Sequence, residues 1–530
     1  MTSTFQGLET ARRGMFTQQS ALYTLGHNVA NANTPGYSRQ RVNMMTETPY
    51  PSVGLNRPDI PGQMGTGVKT GSVQRVREGF LDVQYRNENT KFGYWEAKST
   101  SLSKIENIMN ELNNTGLAKS MDDFWQSLQD LAVNATNTGA KAVVKERGSA
   151  LADTFKFMDT SLKTVRADFK NELDVSVTKI NDLIDSIDDL NKQIAAVEPH
   201  GYLPNDLYDR RDVLIDELST YANIKVEYVK SGGKPDPQAM GKATVKMVTD
   251  NSDVSVLVGT DQVNHIKLDF GGPEGTVNQL TIGNQVMNAA DFKTQGKLKS
   301  IMESYGYVDA SGNPVGELPH MLEELDNLAY TYAVKFNEIH MAGVSPNEIA
   351  AWEEAKKTNP DAKLEDFNQQ IAFFVDAKMG EAPTSKQGFA SRMAVSGAIK
   401  DSLDNIATSS LENGTVGDAS NILKLAKVRD EKFDYKGGST TEKASFHSYF
   451  QKVIGEMGVQ TQQAERLAGN SEILLSSVNN QRSSVSSVSL DEEMTNMIQF
   501  QQAYNASARM ITMIDECLDR IINGLGVGGR

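Results

Sequence analysis

Metal capture and nucleophilic catalysis start from histidine, cysteine and clustered carboxylates, and this chain holds six His and one Cys in 530 residues. His27 is followed by Asn28 and Val29 with no second ligand at a useful spacing, so it reads as a polar contact on a helix. His320 opens an H-x-x-E-E run with Glu323 and Glu324, but the second His of the zinc-protease patterns is missing and no H-E-x-x-H occurs. His340, in NEIHMAG, stands near a helix end where an imidazole can cap the last carbonyls. Cys517 lies between Glu516 and Leu518; a nucleophilic thiolate needs electropositive surroundings, so a small packing residue is the better reading. The glycines from Gly65 to Gly71 do not match G-x-G-x-x-G, and neither Gly241-Lys242 nor Gly296-Lys297 is followed by the Ser or Thr of a phosphate loop. Asp182, Asp185, Asp188 and Asp189 alternate with Leu183, Ile184 and Ile187, which is the solvated face of an amphipathic helix. No catalytic residue, metal site or cofactor is expected.

The elements that carry these residues point elsewhere. Apolar residues make up 39% of the chain, enough for sizeable cores, and 53 basic against 68 acidic residues leave a net charge of −15, which argues against nucleic acid. No run approaches the ~18 apolar residues of a membrane span, and MTSTFQGLETARRGMFTQQS lacks the apolar stretch of a cleavable signal peptide. Leu8, Met15, Leu22 and Val29 recur every seventh residue, with Ala11 and Leu25 beside them, so the chain should open on a coiled-coil helix that stops near Asn33, just before Pro35 and Gly36. Five of the 15 prolines fall between residues 35 and 61, an extended, turn-rich segment. VQRVREGFLDVQYR fits a short strand or a helix start equally well.

From about Tyr94 to Val197 the pattern is helical, and no Pro or Gly interrupts residues 149 to 198, a rod on the order of 70 Å. NDLYDRRDVLIDELSTY continues it over 205–221. The segments IKVEYV, ATVKMV, VSVLV and NHIKLDF then alternate as strands, marking 223–300 as a β-rich insertion. Helical periodicity returns at 317–342, a charged insertion follows over 343–395, and helices resume at 418–428 and 442–478. SSVNNQRSSVSSVS, with seven serines in fourteen positions, reads as a flexible joint. The last segment repeats the first: Leu490, Met497, Tyr504, Ile511, Leu518 and Leu525 stand at every seventh residue, with Asp491, Glu492 and Glu493 at the helix start. The expected fold is mainly α with an inserted β-rich domain (α+β). Terminal coiled-coil helices span 1–45 and 485–530. An elongated helical bundle spans 46–222, 301–342 and 396–484, with the β-rich insertion at 223–300 and a variable insertion at 343–395.

The segment HNVANANTPGYSRQRVN, with Ala30-Asn31-Ala32-Asn33-Thr34-Pro35-Gly36-Tyr37 at its centre, resembles the N-terminal signature A-N-x-x-T-P-G-Y of bacterial flagellar rod, hook and hook-associated proteins. SLDEEMTNMIQFQQAYNASARMITMIDECLDRIINGLG resembles that family's terminal helix. FQGLETARRGMFTQQSALYTLGHN, LDNLAYTYAVKFNEIHMAG and GDASNILKLA are similar to the member at the junction of hook and filament. The resemblance implies a structural, non-enzymatic protein of the extracellular flagellum, exported unfolded without a cleavable signal peptide and ordering its terminal helices on assembly. The partners it implies are the hook protein, a second hook-associated junction protein on the filament side, further copies of itself in a ring, and an export chaperone at about 490–525. The implied assembly residues are Leu8, Met15, Leu22, Leu25, Val29, Asn31, Thr34, Pro35, Gly36 and Tyr37, with Leu490, Met497, Tyr504, Ile511, Leu518 and Leu525 as the face held by the chaperone. Two alternatives compete: another axial component such as a hook or distal-rod protein, and a surface protein whose β-rich insertion is a binding module.

Overall fold

The computed structural model describes residues 5–55, 57–58, 61–109, 116–249, 254–412, 414–435 and 443–524. The chain opens with helix α1 (Phe5–Ala30), followed by an antiparallel hairpin of β1 (Gln40–Thr46) and β2 (Val68–Arg75). The ambiguous VQRVREGFLDVQYR is both things it could be: Val73–Arg75 finish β2, and α2 (Gly79–Met109) begins four residues later. Helices α3 (Leu117–Val133), α4 (Thr138–Val197) and α5 (Asn205–Tyr221) complete the first half of the bundle.

The rod α4 is longer than its Pro- and Gly-free stretch, 60 residues or about 90 Å. Asn137 caps its start by accepting from the Ala140 N–H at 3.2 Å, which satisfies one of the amides a helix start leaves open. Gly148 does not break it, because the missing Cβ makes room for the Phe373 ring, whose Cε1 would stand 2.8 Å from one. Leu151, Phe155, Leu162, Phe169, Leu173, Ile180, Ile184, Ile187 and Ile194 form its buried stripe. Pro199 ends it.

The insertion at 223–300 holds two three-stranded antiparallel sheets, β3 (Ile224–Val229) to β5 (Val254–Val258) around β4 (Lys242–Val248), and β6 (Ile266–Asp269) to β8 (Gln285–Asn288) around β7 (Gln279–Ile282). Two asparagines stitch these sheets to the rod. Asn191 gives its Nδ2 to the Ala243 carbonyl at 2.8 Å and takes the Ala243 N–H at 2.9 Å. Asn181 treats Ile266 the same way, at 3.0 and 2.8 Å. A carboxamide copies the donor–acceptor pair of a peptide, so each Asn stands in for a neighbouring strand.

Beyond the insertion come α6 (Lys297–Tyr305), α7 (Glu317–Ala342), α8 (Pro346–Thr358), α9 (Gly397–Asp401) and α10 (Ser420–Lys427). The 343–395 segment reaches into the core: Phe373 and Phe374 pack with Phe124 and Phe336 at centroid separations of 5.2 to 5.8 Å. Asn337 of α7 repeats the amide device, bonding Phe373 N–H, Phe374 N–H and the Phe374 carbonyl. His340 is not a helix cap. Its Nδ1 donates to the Ile371 carbonyl at 2.8 Å and its Nε2 accepts the Ala407 N–H at 3.1 Å, so this buried imidazole ties two loops to α7. Burial pulls it down to about 4, which keeps it neutral in that role.

The serine-rich joint is also corrected. Helix α11 (Phe446–Ser486) runs through it, and only residues 487–489 separate α11 from α12 (Leu490–Gly524). Serine hydroxyls turn back onto their own helix there, Ser484 to the Gln481 carbonyl and Ser486 to that of Arg482, which spares the run the solvation it would seek as coil. Helix α11 packs its buried row, Phe450, Val453, Met457, Ala464 and Val478, along α2.

The aromatic cluster centred on Phe124 is the core that joins α3, α7 and the 373–374 segment. Phe124→Ala is expected to cost about 3–5 kcal/mol in urea unfolding of the bundle, with hydrogen exchange in α12 unchanged.

Candidate assembly site at the chain ends

Helices α1 and α12 lie antiparallel. A Cβ on Gly7 would meet Ile514 at 3.3 Å and one on Gly14 would meet Ser507 at 3.1 Å, while Asn28 bonds Glu493. The row of α1 that faces α12 is therefore Gly7, Gly14, Ala21 and Asn28, a seven-residue repeat of small residues closed by an amide. Each large heptad residue follows one position later: Leu8, Met15 and Leu22 are half-buried beside the seam, and Val29 is exposed. Ala11 and Leu25 are buried. On α12, Met497, Tyr504, Ile511 and Leu518 are half-buried, Leu490 is exposed, and Leu525 lies outside the described residues. Small residues let the two backbones approach, and the larger ones flank the contact instead of filling it. Cys517 is exposed, against the packing role expected for it.

The signature turn closes one end of this pair. Asn28 is fully buried, and its amide is used completely: Oδ1 accepts from the Gln40 N–H at 2.9 Å and the Tyr37 hydroxyl at 2.8 Å, and Nδ2 donates to the Gln40 carbonyl at 2.8 Å and Glu493 at 3.0 Å. Burial first, and then Asp206, Asp209 and Glu493, push the Tyr37 phenol up, so it stays a donor. Asn31 bonds back to the His27 carbonyl and accepts from the Thr34 hydroxyl, and the Tyr37 N–H returns to the Thr34 carbonyl at 3.2 Å. Helix α1 therefore stops at Ala30, three residues before the Asn33 expected from Pro35, because these turn bonds take over from Asn31 onward; Pro35 follows in the turn and Gly36 turns the chain at φ +77°. A Cβ on Gly36 would fall 2.1 Å from Val213 Cγ2, so the turn fits against α5 only as glycine. His27 meets Asp206 of α5 at 3.3 Å, the polar helix contact its sequence suggested.

Beneath the turn, α5 presents Asp209, Asp212 and Asp216 to a set of arginines. Arg75 bonds Asp209 at 2.7 Å and Asp212 at 2.9 Å, while Arg77 stands 3.4 Å from Asp212 and forks onto Asp82. Arg86 of α2 reaches Asp216 at 2.7 Å and Asp212 at 3.4 Å. Arg482 of α11 pairs with the other oxygen of Asp216 and lies 3.8 Å over the Tyr85 ring. Burial pushes the Asp212 carboxyl up, but Arg77, Arg75 and Arg86 outweigh it and hold it well below the usual carboxylate range. Arg39 completes the join: its N–H bonds the Ser486 carbonyl, and its guanidinium sits 2.7 Å from both Glu492 and Glu493.

Sequence reasoning placed Asn31 to Tyr37 in the turn but missed Asn28, Arg39 and the arginine–aspartate cluster. Two signals were present: acids at positions 209, 212 and 216 share one helix face, and Arg75 and Arg77 share one side of an extended strand. Among the described residues no group of three or more His, Cys, Asp or Glu could hold a metal, and no helix is long and apolar enough to cross a membrane.

Three family models match the chain: the flagellar hook-associated protein FlgK helical domain over residues 102–350, the flagellar basal body rod FlgEFG protein C-terminal region over 480–524, and the flagella basal body rod protein over 8–37. Flagellar hook-associated protein 1 of Bacillus subtilis is 43% identical over the whole of both chains. Its Escherichia coli namesake is 25% identical over 97% of this chain and 99% of its own. In fold, the chain is similar to the flagellar hook junction protein FlgK of Burkholderia pseudomallei, with a TM-score of 0.52 at 14% identity, covering 75% of this chain and all of that one.

Two outcomes follow from the join. Because the Asp212 value is lowered in the folded state, its contribution is full above the unfolded value of about 3.9, declines below it, and is gone once pH falls through the lower folded value. Urea midpoints should therefore drop below about pH 4, and Asp212→Asn should remove that part of the slope while costing on the order of 3–5 kcal/mol at neutral pH, since three guanidinium groups lose a shared partner. Gly36→Val should raise hydrogen exchange at residues 27–40 and leave α4 protected; equal loss in both would contradict a local role for the turn.

Proposed function

The chain belongs to the flagellar hook-associated protein 1 family, and from that membership we propose that it is a structural subunit of the junction between hook and filament, held there by its α1–α12 pair. The observation that carries this reading is how the pair is finished. One end is locked by Asn28 to the bundle, yet the remaining surfaces expose Phe5, Phe16 and Tyr23 on α1 and Met494, Ile498, Met510 and Met513 on α12. Apolar area of that kind, on helices with little else of their own chain to pack on, marks an interaction surface. Ordering costs about 1–2 kcal/mol per residue, and a two-helix unit left half uncovered offsets it poorly. The pair accordingly orders along its length only when neighbouring subunits cover it.

The hook protein and a second hook-associated junction protein are the neighbours this role requires, with copies of this chain beside each other in a ring. Before assembly, Leu490, Met497, Tyr504, Ile511, Leu518 and Leu525 form the apolar row that an export chaperone would cover. A chain delivered unfolded through the flagellar export apparatus needs no cleavable signal peptide and is well served by having no disulfide. The subunit has no catalytic task in this reading.

In dilute monomer, residues 5–20 and 500–524 should exchange their amide hydrogens far faster than residues 138–197; equal protection of the ends would contradict ordering on assembly. Gly14→Leu forces a branched side chain against Ser507. Cells carrying it should keep hooks, shed filament protein into the medium and lose motility while exporting the variant at normal levels. Filaments that stay attached would show that this pairing is not what holds them.

A further inference from the structure

One flank of α12 is bare and rich in sulfur. Ser507 and Ile514 are the residues that face Gly14 and Gly7 of α1. Met510, Met513 and Cys517 stand at i, i+3 and i+7, and at 3.6 residues per turn the three fall within about 60° of one another around the helix. They lie about a quarter-turn from the row that meets α1. Helix α1 accordingly leaves them uncovered: Met510 is 48% exposed, Met513 is 56% exposed, and Cys517, the one cysteine of the chain, is an exposed free thiol. Positions three and four apart on a helix carry their Cβ atoms ~5–6 Å apart, and an unbranched methionine side chain has the rotatable bonds to close that gap. Two thioethers and a thiol can therefore converge on one point above two turns of α12.

The rest of that face selects the ligand. Ala506 stands one turn before Met510 and Ile521 one turn after Cys517, and neither offers a donor. Asp515 and Asp519 lie toward the opposite side of the helix, and α12 contains no histidine. Oxygen and imidazole donors are thus kept away from the spot where three sulfurs meet. Thioether and thiolate are soft ligands that favour Cu(I), whereas carboxylates and carbonyls suit Mg²⁺, Ca²⁺ and Mn²⁺. A single thiolate also falls short of the several Cys or His ligands a structural Zn²⁺ takes. The methionine pair recurs once on α12, at Met494 and Met497, but Gln501 stands where the thiol would be. The three-sulfur set therefore occurs at one place on the helix.

We propose that Met510, Met513 and Cys517 bind one soft monovalent cation, Cu(I) or Ag(I), on the free chain. Each thioether sulfur gives a lone pair, and the thiol gives the third bond as its proton passes to solvent; the ion keeps its oxidation state. Because the ligands span two turns, the binding free energy goes into ordering the helix that carries them. The site does not depend on the junction reading. The test titrates the reduced full chain, free of oxygen, with Cu(I) against bathocuproine disulfonate and follows the colour of the competitor's complex. One ion per chain is expected. Cys517→Ser, Met510→Leu and Met513→Leu should each weaken binding about tenfold or more, and Met379→Leu, at an exposed methionine away from α12, should leave it unchanged. Hydrogen exchange at residues 506–521 should slow with Cu(I) while α4 is unaffected, and should not slow in Met513→Leu. Unchanged affinity in both α12 methionine variants would reduce the site to a bare thiol and overturn the proposal. So would one ion shared by two chains, tighter binding of Zn(II) than of Cu(I), or exchange that Cu(I) leaves unaltered.

Discussion

A single buried carboxamide sets the geometry at the ends of this chain. Asn28 has four hydrogen-bonding capacities and all four are used, on Gln40 twice, on Tyr37 and on Glu493. Those partners belong to β1, to the signature turn just before it and to α12, 465 residues further on, so one side chain fixes how the two chain ends register against each other. An amide left half satisfied in a buried position costs about 1–3 kcal/mol, so alternatives that break one bond are disfavoured as a set. The small-residue row Gly7, Gly14 and Ala21 depends on this: only when Asn28 meets Glu493 do Gly14 and Ser507 fall opposite each other.

The clasp would fix nothing if its own base could swing. Asp209, Asp212 and Asp216 on α5 supply that base, because Arg75 comes from the hairpin, Arg77 from the link between β2 and α2, Arg86 from α2 and Arg482 from α11. Buried ion pairs add little net stability compared with apolar packing, but they penalise misplacement heavily, since each displaced guanidinium leaves a charge unpaired. The join between the terminal pair and the bundle is therefore specified in angle more than it is strengthened. Glycine at position 36 serves the same end by steric means, admitting the turn against Val213 at a distance no side chain would allow.

What could be read from sequence followed from periodicity, and what could not followed from its absence. The seven-residue rows located both terminal helices, and alternating β-branched residues located the insertion. Yet the seam itself runs one residue ahead of the large heptad row, because Gly and Ala carry no hydropathic signal and are seen only when the partner helix is in place. Asn28 was hidden for the same reason: a lone polar residue beside an apolar stripe looks solvated. The serine run misled because its composition matches linkers, whereas hydroxyls bonded to the carbonyls three and four residues back let it remain helical. His340 shows the converse, a residue type that suggests chemistry and is spent on tying loops.

Asparagine recurs at each of these joins for a physical reason. Asn181 and Asn191 hold strands to α4, Asn337 holds the Phe373–Phe374 segment to α7, and Asn28 holds the turn to α12. A long helix satisfies its own backbone and so has nothing to offer a strand laid against it, yet the strand's free N–H and C=O cannot be buried unpaired. A carboxamide projecting from the rod resolves this by presenting one donor and one acceptor at the spacing of a peptide. Unlike a charged tie, it carries no desolvation cost beyond a neutral polar group and does not change with pH. Elongated helical rods can then carry inserted sheets and loops at set positions without building a separate core beneath each one. Carboxylates share this work in places, Asp326 of α7 taking the Gly388 and Ala390 N–H groups and Glu198 that of Gly241, while the arginine–aspartate cluster stands where the terminal pair meets the bundle and sets the angle between them.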